Sequence, residues 1–197
     1  MHFSIRPILA LISAFALSTC ASVNPAGLIA ASRIDPLNTP PSDIAVAVGV
    51  PRTLRLVDGD AVFKIAFRAE GGEAPVVVDE TVPLELRPLR GGMPKPNSTD
   101  EMIYSATFSA EGAERIAAAQ QKIRSLRATG IDGKGSITIS VTGGCFTQSL
   151  PDPLLVSTWL RTAPDEDYVQ LTRQVDVLRS LDESSAAMLR EEVARCG

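Results

Sequence analysis

From Ile44 to Val50 the chain is apolar at every position except Gly49, the pattern of a central strand covered on both faces. After the break at Pro51, Leu54 and Leu56 alternate with Arg55. Phe63, Ile65 and Phe67 alternate with Lys64, Ala66 and Arg68, which predicts a half-buried strand, and Asp58-Gly59 is the turn before it. Gly71-Gly72 turns the chain again. Val76 to Leu86 then predicts a longer strand, placed at a sheet edge because Pro83 and Pro88 have no N–H for a ladder. Arg90 to Asp100 has no periodicity and reads as a hairpin loop or, functionally, as a partner-binding loop.

Met102 to Phe108 returns to strand. The period then changes to three and four: Ile116, Ala119, Ile123 and Leu126 share one helical face, Ser109 caps the start beside Glu111 and Glu114, and Gly130 stops it. Gly135 to Thr142 is the next strand, completing a β-helix-β unit whose crossover is right-handed if its strands are parallel neighbours. Leu154 to Arg161 is a strand carrying the sole Trp159. Pro164 opens a long helix with Asp165, Glu166 and Asp167 in its first turn. Its stripe, Tyr168, Leu171, Val175 and Leu178, resumes at Ala186, Leu189 and Val193, with a break expected from Leu181 to Ser184 because Asp182 interrupts it. The fold class is therefore α+β. It has a mostly antiparallel sheet of about six to seven strands, one covering helix and a long C-terminal helix, with an immunoglobulin-like sandwich carrying helical additions as the alternative.

The remaining apolar run, Ile8 to Leu17, is about ten residues long. A membrane-spanning helix needs roughly 20, so the run suits the h-region of a cleaved signal, with Arg6 in the n-region. It ends in Leu17-Ser18-Thr19-Cys20. This stretch resembles the lipobox of bacterial lipoproteins, with Thr19 where that family has Gly, Ala or Ser; the whole chain resembles small alphaproteobacterial lipoproteins. The resemblance implies acylation of Cys20 and cleavage before it. Because a single acyl chain binds membranes only marginally, at about 0.8 kcal/mol per buried methylene, the several chains implied would make a lasting anchor. Ala21, rather than Asp, resembles the default sorted to the outer membrane. The alternative is an ordinary signal cut after Ala14-Phe15-Ala16, leaving Cys20 a plain thiol.

This organisation divides the chain into a signal peptide (1–19), a lipidated tether and Pro-rich spacer (20–42) and one globular periplasmic domain (43–197). Within the tether, Asn24-Pro25 starts a short helix reaching Ser32, and Asp35 to Pro41 stiffens the chain towards polyproline II.

Composition removes whole classes of function. Without the leader the chain keeps 18 basic and 23 acidic residues, a net charge of −5, and no basic stretch for nucleic acid. The single His is His2, so the mature chain has no imidazole for a Ser-His or Cys-His nucleophile, or for a His-containing zinc site. With Cys20 acylated, Cys145 and Cys196 are the remaining thiols in an oxidising compartment and are expected to form a disulfide. That bond would contribute about 4 kcal/mol in the chain-entropy model. Asp58-Gly59-Asp60 fails as a calcium loop because Phe63 stands where Gly is required. Gly130 to Gly135 lacks the spacing of a phosphate-binding loop. No catalytic, cofactor or metal residues are assigned. The expected protein is an envelope lipoprotein, not an enzyme, serving as a binding or assembly module. Its expected partners are the membrane, through Cys20, and an envelope protein. The competing classes are a hydrolase using carboxylates alone, marked by two inward carboxylates about 5 to 10 Å apart, and a carrier of an apolar ligand, marked by an apolar cavity between sheet and helix.

Overall fold

A computed structural model describes residues 34–69, 77–89, 94–192 and 194–197. Cys20 with its lipobox, and the helix expected over Asn24 to Ser32, lie outside the described residues. Among those described, the strands are β1 (Ala45–Pro51), β2 (Leu54–Arg55), β3 (Ala61–Ala69), β4 (Val77–Pro88), β5 (Glu101–Phe108), β6 (Gly133–Val141), β7 (Cys145–Phe146), β8 (Leu155–Arg161) and β9 (Val169–Asp176). The helices are α1 (Ala110–Ala128), α2 (Val177–Ser180) and α3 (Glu183–Glu192). No described helix is long and apolar enough to cross a membrane.

The fold is α+β, with one antiparallel seven-stranded sheet ordered β6-β3-β4-β5-β1-β8-β9 rather than a sandwich. Its doubly apolar strand, β1, lies between β5 and β8, and Val46, Ala47, Val48 and Val50 are fully buried. In β3, Phe63, Ile65 and Phe67 are buried while Lys64 and Ala66 are half-exposed and Arg68 is exposed, as period two requires. Helix α1 begins where Ser109 Oγ accepts the Gly112 N–H at 3.0 Å and ends before Gly130, whose φ of +81° suits glycine. It packs chiefly on β4, burying Ile116, Ala119 and Ile123 in the hollow of the sheet. The chain then continues into β6 at the far edge. Because β5 and β6 are separated by β3 and β4, they are not a parallel neighbouring pair, and the β-helix-β crossover rule has no application here.

Two expectations are corrected. Strand β4 is interior, not at an edge, and Pro83 explains how. Residues Val77 to Pro83 pair only with β3 and Leu84 to Pro88 only with β5, so Pro83 falls where the strand passes from one partner to the other and Pro88 at the strand's end. On the side β3 has left, Asp58 takes over: its Oδ1 accepts the Leu86 N–H at 2.7 Å and the Arg87 guanidinium at 2.8 Å. These bonds hold the Asp58 carboxyl below its ordinary pKa, the Leu86 N–H being the largest cause.

The second correction concerns the long C-terminal helix, which does not start at Pro164. Asp165, Glu166 and Asp167 are exposed in a turn, and Val169–Asp176 is strand β9. Two register shifts put extra residues into β9 opposite β8. They place Leu171 against the core and Val175 opposite buried Val156, four positions apart, so the strand carries an apolar spacing that resembles a helix. At one shift Gln174 has a φ of +46°, left-handed for a non-glycine residue. The C-terminal region becomes helical only from Val177, with the break at Leu181 to Asp182. There Asp182 accepts bonds from Ser184 and Ser185, which hold its carboxyl well below the usual range.

Candidate ligand groove

Because the sheet curls, side chains from both of its ends meet around one hollow of about 430 Å³, within the usual size of small-molecule sites. Ile65 of β3 and Ile137 of β6 come from one end, Leu160 of β8 and Leu171 of β9 from the other, and Ile123 and Arg127 from the last two turns of α1. The two edge strands, β6 and β9, do not pair, and so the hollow is a groove rather than a sealed core. Ile137, Ile139 and Val141 alternate along β6 as inward positions but remain half-exposed, unlike their counterparts on β3. A second hollow of about 310 Å³ follows along the same seam. It is lined by Val141, Leu154, Val156 and Leu189 and by Ala194, three residues before Gly197.

The segment read as a spacer contributes the groove's remaining wall, since Ile34, Asp35, Pro36 and Leu37 line it. Asp35 organises a turn in which Asn38 Nδ2 donates to its Oδ2 at 2.7 Å and the Thr39 N–H donates to its carbonyl at 3.0 Å. Helix α1 holds that turn through Gln120 Nε2, which donates to the carbonyls of Pro36 (2.6 Å) and Thr39 (2.9 Å), and through Arg124 Nη1, which donates to Leu37 O at 2.6 Å. Gln120 is itself buried, and these bonds satisfy both donors of its side-chain NH2 there. The chain thus enters the fold along the rim of the groove.

Cys145 and Cys196 are bonded, with Cα atoms 5.0 Å apart, as the sequence led us to expect. Phe146 reinforces this closure: its N–H donates to Ala194 O at 2.9 Å and its carbonyl accepts the Cys196 N–H at 3.1 Å. The chain end is thereby tied beside the second hollow.

A polar cluster lies on the opposite, convex face of the sheet. Glu101 of β5 is 4% exposed and is the only buried carboxylate among the described residues. It accepts from the backbone N–H and side-chain amide of Asn97 and from Ser157 Oγ at 2.6 Å. Ser157 Oγ in turn accepts the Gln174 N–H at 3.0 Å, and Gln170 Nε2 donates to Asn97 Oδ1 at 3.2 Å. A hydroxyl beside a carboxylate suggests hydrolysis, but Ser157 is fully buried and its oxygen is occupied on both sides. The network instead seats the loop before β5 on the sheet. Nearby, Ala47, Ile103 and Trp159 form a small apolar cluster, and the Arg161 guanidinium lies 5.0 Å from the Tyr168 ring. Burial raises the Tyr168 pKa, while Arg161 opposes the shift.

No protein-family model, curated protein or solved structure matches this chain. Sequence reasoning did not identify Arg127, Gln120, Glu101 or Ser157. Gln120 carried one usable signal, since it adjoins Ala119 on the apolar side of an amphipathic helix. Arg127 carried none, because a basic residue in a last helical turn is ordinary. No group of three or more His, Cys, Asp or Glu side chains among the described residues is arranged to hold a metal ion.

Proposed function

We propose that this chain is an envelope lipoprotein, anchored through acylated Cys20, whose periplasmic domain is a binding module and whose binding face is the groove. The observation that carries the reading is the juxtaposition of an open, apolar-walled hollow with the segment that leads back to Cys20. A soluble domain seldom leaves apolar walls open to water without a use for them. The leader supports the anchored half of the proposal: an apolar run too short to span, ending in Leu17-Ser18-Thr19-Cys20. An outer-membrane location and an envelope protein partner belong to the same reading.

The apolar lining favours a ligand carrier over a hydrolase. Carboxylate-only hydrolysis calls for two carboxylates facing one cleft, whereas Glu101 is enclosed by its own hydrogen bonds. The test is Cys20→Ser expressed as the full chain. The natural chain should incorporate radiolabelled palmitate and sediment with membranes, and the variant should lose the label and stay unprocessed. Equal processing and equal solubility of the two would overturn the anchored reading.

A further inference from the structure

We propose that the groove holds the hydrocarbon chain of a long-chain fatty acid, with its carboxylate on Arg127. This deepens the preceding proposal and rests on it for the source of the ligand, the adjacent bilayer. The walls are mainly hydrocarbon from five separate elements: Ile137 and Leu171 are half-exposed at the hollow, with Ile65, Ile123 and Leu160 buried behind them, and Ser136, Asp35 and Arg127 stand at its polar margin. An extended, featureless chain suits such walls better than a polar metabolite, which would leave its own donors unsatisfied against them. At about 430 Å³ the hollow falls within the usual size of small-molecule sites, which limits the length of chain it can enclose.

Charge picks the headgroup. Arg127, in the last turn of α1, is exposed at the groove with its guanidinium 5.6 Å from the Phe67 ring. Arg127 is the cation among the described residues that line the groove, and no described carboxylate pairs with it. The other charge in the lining, Asp35, is already engaged by Asn38. A planar guanidinium matches a carboxylate through two parallel N–H···O bonds. Delivery follows from the way the chain enters the domain. Cys20 is 14 residues before Ile34, a span of at most about 50 Å when extended, so the anchor keeps the groove within reach of the lipid surface.

The test uses the full lipidated chain in phosphatidylcholine nanodiscs, with palmitate carrying a diazirine near its methyl end. Labelled peptides should map to β6, β8 and β9 around Ile137, Leu160 and Leu171. With the Cys20→Ser full chain in lipid-free buffer, where no bilayer competes for the acid, unlabelled acids should compete better by about fourfold per added methylene, the ratio that corresponds to 0.8 kcal/mol, and stop improving once the chain is longer than the groove. Leu171→Glu and Ile137→Glu should abolish labelling. Arg127→Gln should weaken palmitate about tenfold while leaving hexadecanol, which has no carboxylate, unchanged. Unaltered thermal unfolding of the variants separates loss of the site from loss of the fold.

Labelling that survives both Glu variants, equal weakening of palmitate and hexadecanol by Arg127→Gln, or crosslinks from the groove to residues 26–32 or to a second copy of this chain would each overturn the proposal. The two proposals can fail separately. The Cys20→Ser full chain should still bind palmitate through the groove, whereas membrane attachment without groove labelling removes only the ligand.

Discussion

The two faces of the sheet bury different chemistry in opposite ways. On the convex face a carboxylate and a hydroxyl, Glu101 and Ser157, are enclosed and bonded to each other and to the half-buried amide of Asn97, which Gln170 joins from outside. On the concave face the core is hydrocarbon, yet Ile137 and Leu171 stay half-exposed along the groove. Enclosed polar groups must be satisfied internally or the fold loses free energy, so the convex network reads as structure. Apolar walls left open to water are the feature that a ligand would relieve. The lesson is that the more reactive-looking residues mark the structural face, and the bland ones mark the binding face.

If this contrast is right, stability should depend on the convex face. Glu101→Ala leaves the Asn97 and Ser157 donors facing an empty space and should lower unfolding free energy by about 3 kcal/mol, read as a lower denaturant midpoint. Gly49→Ala is the next largest. A Cβ there would lie 2.5 Å from Glu101 Oε1 and 3.0 Å from Trp159 Cη2, so overpacking should cost about 2 kcal/mol while fatty-acid binding is retained. The smallest effect belongs to the concave face. Leu171→Ser should cost no more than about 1 kcal/mol in the same denaturation yet weaken palmitate binding severalfold. The contrast breaks if Leu171→Ser destabilises more than Glu101→Ala, or if Glu101→Ala abolishes binding in protein that is still folded.

The prediction of β9 as helix shows how local pattern can mislead. A bulged strand gains residues that its partner does not match, and two such shifts stretch an alternation of two towards a helical spacing. Pro83 misleads in the other direction. Its missing N–H argued for an edge, yet a strand that changes partners midway leaves one side of each half unpaired even inside a sheet.

The sequence by itself determined the class of the fold, the doubly apolar β1, the alternation of β3 and the bounds of α1. Each of these rests on periodicity and capping within a few residues, which local sterics and burial enforce. It also pointed to Cys145 and Cys196 as partners and left no imidazole among residues 3–197, His2 being the single histidine. Only the tertiary structure decided that the sheet curls without closing, that Ile34 to Leu37 lies along the gap, and that Arg127 and Glu101 fall on opposite faces. Those outcomes depend on strand order and register, through which residues as far apart as Asn97 and Ser157, or Pro36 and Gln120, come into contact. Such long-range contacts leave no periodic trace along the chain, because the free energy that selects them comes from packing whole elements rather than from neighbouring residues.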